Sequence, residues 1–345
     1  RFSRMSLTPR EIPTGAVRFN TDSSKMEVYI GSTWMEVSVS TPNLDGGARG
    51  IWGGGNQSPT IHADIEYITI STQGNSIDFG SNLSEAKRRT GGFGSRTRGF
   101  IAGGKTPSNR STIDFVTFSS TGTTTAWGDN LLNSGTVDNQ GFSNSTRGVV
   151  KSGYQSPAAT GTLDFITMSS TGGVNDFGDL IASGDAGGAF ASPTRGVIAG
   201  GYEPANDDTI SFVTIPTTGN AQDFGNLSIG RYSMGACSNS TRGIWGGGAR
   251  RSPATVEADM TNLDFVQIAT KGNAMNFGDL SVGRATSSAV SDPTRGVWGG
   301  GYTPSNIDTI DYIAFATTGN AVDFGNLSVR SGGRGGSASN GHGGL

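Results

Sequence analysis

Thr241-Arg242-Gly243-Ile244-Trp245-Gly246-Gly247-Gly248 decides the fold, because the chain writes it six times over. Arg-Gly, two mostly apolar residues and then glycines recur from Arg49, Arg98, Arg147, Arg195, Arg242 and Arg295, at spacings of 49, 49, 48, 47 and 53 residues. Around the fifth copy a whole repeat is legible. Before it lies a small-residue segment, Arg231 to Cys237. After it come Asn262-Leu263-Asp264-Phe265-Val266-Gln267-Ile268, a turn at Thr270-Lys271-Gly272, and Asn273-Ala274-Met275-Asn276-Phe277-Gly278. Each segment is short, β-rich and bounded by Gly, Pro, Ser or Asn, which is the signature of a strand. We label the four strands a, b, c and d. Four antiparallel strands per repeat, at a period near 50 residues, predict the blades of a β-propeller.

Position by position, the repeat states its packing. Strand a is dominated by small residues, as at Gly91-Gly92-Phe93-Gly94, Gly187-Gly188-Ala189 and Gly235-Ala236-Cys237, so it belongs innermost, where six backbones crowd an axis. Strand d carries Phe79, Trp127, Phe177, Phe224, Phe277 and Phe324, bulk that fills the wider outer spacing. Strand c carries Tyr67, Phe115, Phe165, Phe212, Phe265 and Tyr312, expected to pack between blades. A glycine stands in every c–d turn (Gly74, Gly122, Gly172, Gly219, Gly272, Gly319), as a tight hairpin with positive φ requires. Each b–c loop holds a proline: Pro59, Pro107, Pro157, Pro204, Pro253 or Pro304. Repeat one lacks a strand a, whereas Arg334 to Asn340 looks like an orphan one. The C-terminal segment is therefore expected to enter the first blade and remove an open edge.

The expected fold is all-β: a six-bladed propeller over residues 41–345, closed by the C-terminal strand and preceded by an N-terminal β-module over residues 1–40. That module reads as three short strands, with turns at Asp22-Ser23-Ser24 and Gly31-Ser32. So small a sheet does not stand alone. It is expected to trimerise or to dock on another protein.

Composition bounds the function. Glycine, at 56 of 345 residues, is about twice its usual share and falls at fixed places in the repeat. Charged residues are 15% and the net charge is -3, with no basic stripe for nucleic acid. Cys237 is the one cysteine, so no intrachain disulfide forms; such usage fits a chain made in a reducing cytoplasm, with an inert thiol if buried. No apolar run reaches the roughly 18 residues of a membrane span, and no signal peptide is visible. The chain begins at Arg1, which leaves room for residues upstream.

Chemistry is hard to find. The sixfold arginine points to scaffold, because a ligand or catalytic site breaks symmetry. Each repeat arginine is expected to pair with an acid on a neighbouring strand: Glu66, Asp114, Asp164, Asp264 and Asp311 on strand c (Ser211 is the exception), or Asp78, Asp176, Asp223 and Asp323 on strand d. Two histidines, His62 and His342, are too few for a zinc site, and no cofactor is implied. Asn206-Asp207-Asp208 and Asn306-Ile307-Asp308 could ligate calcium but read first as turns. Ser71-Thr72-Gln73-Gly74-Asn75 is like a sialidase Asp-box turn without its aspartate. Gly53-Gly54-Gly55 lacks the Lys-Ser/Thr of a phosphate loop.

Variation, by contrast, is concentrated in the b–c loops, which share a face with the d–a loops. After the glycines these loops begin with Asn56, Lys105, Tyr154, Tyr202, Ala249 and Tyr302, and the fifth is longer and carries Arg250 and Arg251. Recognition in repeat proteins sits on such a face. Asn56, Lys105, Tyr154, Tyr202, Arg250, Arg251 and Tyr302 are the candidate ligand-binding residues, with tyrosines suited to sugars or protein.

From strand b to strand d the repeats resemble kelch repeats, except that kelch tryptophans are mostly phenylalanine here. Gly15-Ala16-Val17-Arg18-Phe19-Asn20-Thr21-Asp22, with Tyr29-Ile30-Gly31 and Trp34, resembles a β-module of phage tail fibres. Thr309-Ile310-Asp311-Tyr312, Thr317-Thr318-Gly319-Asn320-Ala321 and Asp323-Phe324-Gly325 resemble repeats in virion proteins of marine cyanophages. The resemblance implies a non-enzymatic virion protein, made in the host cytoplasm. It would be a tail-fibre or appendage subunit, acting as a homo-oligomer, bound to other virion proteins through residues 1–40 and to a host-surface glycan or protein through propeller loops. The alternatives are a purely structural virion protein and a glycan-degrading enzyme.

Overall fold

The structure is a computed structural model that describes residues 12–20, 25–36, 48–57, 59–133, 135–202, 205–251, 256–257, 260–328 and 335–345. It divides into two units, residues 1–44 and 45–345. Among the described residues every regular element is a β-strand.

In the first unit, Val17–Asn20, Lys25–Ile30 and Thr33–Glu36 form an antiparallel sheet joined at Gly31-Ser32. The expected turn at residues 22–24 lies outside the described residues. Cross-strand register puts Val17, Val28 and Met35 on one face, with Phe19 opposite Met26. That face is apolar, and Val17, Phe19, Met26, Ile30 and Met35 are exposed on it. The opposite face is tied by Arg18, which sits 4.1 Å over the Trp34 ring and 2.7 Å from Glu27. The Asn20 amide and the Arg18 guanidinium together hold the Glu27 carboxyl below its ordinary range.

The second unit contains six four-stranded antiparallel sheets, each ordered a-b-c-d. The inner strands are Gly91–Gly94, Gln140–Ser143, Gly188–Ala191, Gly235–Ser238, Ser288–Ser291 and Gly336–Ser339. The last of these belongs to the first sheet: Ser337 pairs with Trp52 and Ala338 with Ile51, so the C-terminal segment supplies the missing strand a. Arg334 itself lies outside the described residues.

The repeated Arg-Gly ties each sheet to both neighbours. In five of the six sheets residue three of strand a is a knob that enters the next sheet at this glycine; at Gly99 Ile51 takes that place. A Cβ on Gly148 would stand 2.1 Å from Phe93, on Gly196 2.0 Å from Phe142, on Gly243 1.9 Å from Phe190, and on Gly50 2.5 Å from Val290. Only a missing side chain leaves that room. So strand a is not uniformly small: one face lines the cavity between the inner strands, and the other sends Phe93, Phe142 or Phe190 into the core, each at most 4% exposed.

The arginines correct the sequence expectation. Among the described residues none of the six reaches an acid. Each guanidinium lies over the strand c aromatic of its own sheet, at 5.1 Å for Arg49 on Tyr67, 4.8 Å for Arg98 on Phe115, and 4.9 to 5.4 Å for Arg147, Arg195, Arg242 and Arg295 on Phe165, Phe212, Phe265 and Tyr312. Each then donates to a carbonyl of the following sheet: Phe118, Met168, Ile215, Ile268 and Phe315 in turn, and finally Ile70 of sheet one from Arg295. The reason is geometric. Antiparallel register carries the arginine to the end of strand c, where the nearest free acceptor is a backbone oxygen. The strand d acids Asp78, Asp176, Asp223 and Asp323 are exposed instead. The strand c aromatic meets its strand d partner nearly edge-on in all six sheets, as with Phe265 and Phe277 at 5.8 Å.

The c–d glycines also do something different from closing a tight hairpin. In sheet five the connection runs from Gln267 to Met275. Gly272 N–H donates to Phe224 O on the outer strand of the preceding sheet, Ala274 N–H donates to Asn226 O, and the Asn273 side chain accepts from Asn226 N–H. The same clasp forms at Gly74, Gly219 and Gly319, and it covers an otherwise bare sheet edge. It is seen where Asn follows the glycine; Thr123 and Gly173 stand there in the other two repeats.

Replacing Arg242 by Ala removes both the ring contact and the charged hydrogen bond, and is expected to cost about 2–3 kcal/mol in urea unfolding. Lys recovers only part of it, because it lacks the planar fork. A loss within 0.5 kcal/mol (roughly the scatter of a surface substitution) would show that the link is idle.

Candidate functional site

The acids of strand c do bind cations, but on the crossover from the preceding strand d. Lys87 Nζ lies 2.8 Å from Asp114, Arg231 lies 3.2 Å from Asp264, and Arg284 pairs with Asp311, all buried. Burial pushes the Arg231 and Arg284 guanidiniums down, and the facing carboxylates oppose that shift. In sheet four both partners are replaced: the crossover leading into it has Gly184 and its strand c has Ser211, and Lys151 reaches the Gly184 carbonyl; in sheet three the acid stays and the cation is gone, with Thr136 in its place. Asp164 binds the Leu132 N–H, and desolvation raises its pKa. These pairs are scaffold.

The glycine pair of strand b seats the same crossover. Gly247 has φ +66°, and a Cβ there would stand 2.4 Å from Arg284 O. In four sheets strands b and c continue past this point through a bulge; in sheets three and five a separate small hairpin forms, Tyr154–Gln155 with Ala158–Ala159 and Arg250–Arg251 with Val256–Glu257. Pro204 and Pro253 lie outside the described residues.

This hairpin side is the variable rim. Five bridges join the crossovers to it: Arg88 with Lys105, Val137 with Tyr154, Asp185 with Tyr202, Tyr232 with Ala249 and Ala285 with Tyr302. The candidates are thus brought to equivalent places rather than into one pocket. Asn56 pairs with Ile61 in its hairpin, and its carbonyl accepts from Asn306. Tyr302 is 40% exposed and Arg250 is exposed. Tyr202, Tyr232 and Arg251 converge. The rings are 5.3 Å apart, and the Arg251 guanidinium lies 4.8 Å over Tyr202 and donates to its hydroxyl at 2.9 Å. Asn206 clamps the Arg251 backbone through both its N–H and its carbonyl. Tyr232 was missing from the sequence candidates because it sits in the crossover, next to the buried Arg231. Asn206 thus serves this lock, and Asp207 accepts from Thr209 N–H as in a turn. No group of three or more His, Cys, Asp or Glu able to hold a metal occurs among the described residues.

The six inner strands line a cavity of about 120 Å³, room for waters rather than a sugar. Ser143, Ser238, Ser291 and Ser339 each donate to a carbonyl of the adjacent inner strand at 2.7–2.8 Å. Cys237 is buried there, and burial pushes its thiol up. Nothing in the sequence marks the role of the tail. After Ser339 the chain turns across the end of the cavity. His342 Nε2 lies 2.8 Å from Gly94 O and 3.2 Å from Ser143, and its Nδ1 accepts from Gly344 N–H. Gly343 N–H donates to Ser238 O; a Cβ on Gly343 or Gly344 would collide with backbone at 2.1 or 1.8 Å. Burial lowers the His342 pKa to about 4.

Compared with models of known protein families, and with curated proteins, the chain matches none.

His342 is neutral when folded but protonates near pH 6.5 when unfolded. The unfolded state therefore binds more protons between pH 6.5 and about 4, and stability present above 6.5 is lost as pH falls through that window. The expected difference between the wild-type chain and His342→Gln, measured by urea unfolding at pH 7 and pH 4, is about 3 kcal/mol. Parallel pH profiles would contradict it.

Proposed function

We propose that the six sheets form a closed, six-bladed, kelch-like β-propeller, and that this disc is a non-enzymatic binding module of a bacteriophage virion, a tail-fibre or appendage subunit that meets the host surface through its b–c rim. The closed ring is supported by contacts that run from each sheet to the next and return from sheet six to sheet one through Arg295, Val290 and the C-terminal strand. The observation that carries the binding role is the division between interior and rim. The strand b arginine and glycine and the strand c and d aromatics recur in all six sheets, whereas the rim varies more from sheet to sheet and presents the Tyr202–Tyr232–Arg251 platform. That platform is held by Asn206 before any ligand arrives, so little ordering is lost on binding. Tyrosine faces and a guanidinium edge suit a host-surface glycan.

Residues 1–40 serve in this reading as the anchor to other virion proteins. Support comes from the exposed apolar face of the N-terminal sheet, which a homotrimer or a virion partner would cover. The same face favours the second reading, a purely structural virion subunit.

Labelled protein is expected to bind cells within a panel of marine cyanobacteria, and Tyr202→Ala with Arg251→Ala to weaken that binding tenfold or more. Binding to no cell type, or binding indifferent to those substitutions, would contradict rim adhesion.

A further inference from the structure

We propose that Arg88 and Lys105 form an oxyanion-binding site on the rim, built to take a phosphate or carboxylate group. The two residues face each other as a hydrogen-bonded antiparallel pair: Lys105 N–H donates to Arg88 O at 2.9 Å, and Arg88 N–H to Lys105 O at 3.3 Å. Such a pair projects both side chains to one side of the bridge, with Cβ atoms about 5 Å apart. Two like charges so placed repel, and a protein keeps them when a counter-charge is to be supplied.

Among the described residues no internal counter-charge is at hand. Every other cation nearby is matched: Lys87 with Asp114, Arg89 with Asp138 and Arg110 with Glu85. Asp64 is engaged by His62. Among the described residues neither the Arg88 nor the Lys105 side chain has an ion pair or a hydrogen bond, and the Arg88 Nε is buried without an acceptor. Such a donor is costly to leave unmade, so the half-buried guanidinium gains by shifting toward an acceptor when one is supplied.

The site also breaks the symmetry of its ring position. The equivalent pairs are Val137 with Tyr154, Asp185 with Tyr202, Tyr232 with Ala249 and Ala285 with Tyr302, none of which sets like charges together. Its backbone is fixed: a Cβ on Gly104, beside Lys105, would stand 2.7 Å from Arg88 O and 2.5 Å from Thr90. A planar guanidinium fork with an ammonium beside it matches the oxygens of a phosphate or carboxylate.

This inference deepens the adhesion reading by naming a ligand chemistry, and rests on that reading only for where the anion comes from. The test is calorimetric titration of the full chain with inorganic phosphate and, separately, with a short galacturonate oligomer. Saturable binding is expected for at least one, weakening severalfold or more between 50 and 500 mM salt. Preference for phosphate points to a phosphorylated envelope polymer, and preference for galacturonate to an acidic polysaccharide. Arg88→Gln with Lys105→Gln should lose at least tenfold in affinity, with Arg250→Gln unaffected, and should melt no lower than the wild-type chain because a repulsion has been removed. No saturable binding of either anion, equal binding by the double variant, or a lowered melting temperature would overturn the site. Anion binding that persists while the chain ignores all cells would count against adhesion and leave the site standing.

Discussion

A guanidinium laid on an aromatic ring, with its outer N–H on the next sheet's backbone, is the interaction on which this molecule depends. A four-stranded sheet of short strands has too little apolar surface to stand alone. It must be held at a fixed spacing from two neighbours. Arginine does this in one side chain: its flat face stacks in its own sheet, and its edge reaches the next. A carbonyl is a better target here than a carboxylate, because every sheet offers one at the end of strand c whatever its sequence. The adjacent glycine admits the knob from the sheet behind, so Arg-Gly faces forward and backward at once.

The remaining devices serve the same end at other radii. Serine hydroxyls stitch the inner strands, buried cation–acid pairs fix the crossovers, and c–d loops clasp the outer strands. Each device is absent somewhere. The clasp is lost where Asn is replaced by Thr123 or Gly173, and the ion pair where Gly184 and Ser211 stand. Because several contacts join each pair of sheets, single omissions are tolerated, and the repeats drift without losing the fold.

Strand identities, the three N-terminal strands and the C-terminal strand's place were legible because they follow from period and residue size. The arginine's partner was not. Acids recur at neighbouring positions and invite pairing, whereas a backbone acceptor leaves no mark in a sequence. Arg231 heads the segment read as strand a, and Lys87 and Arg284 stand at the equivalent places of their repeats, so nothing in the sequence marks their pairing with Asp264, Asp114 and Asp311. The rim was visible as variation, yet the meeting of Tyr202 with Tyr232 depends on two segments from different sheets. Likewise Arg88 and Lys105 are seventeen positions apart in the sequence, and only the bridge makes them neighbours.

The proposed closed ring depends on the C-terminal strand completing the first sheet. Amide hydrogen exchange over Gly336–Ser339 tests it most directly. If that segment is the inner strand of the first sheet, its amides exchange as slowly as those of Arg242–Gly246, through global unfolding alone. Exchange at the rate of an unprotected peptide, with Arg242–Gly246 still protected, would mean that the ring is open.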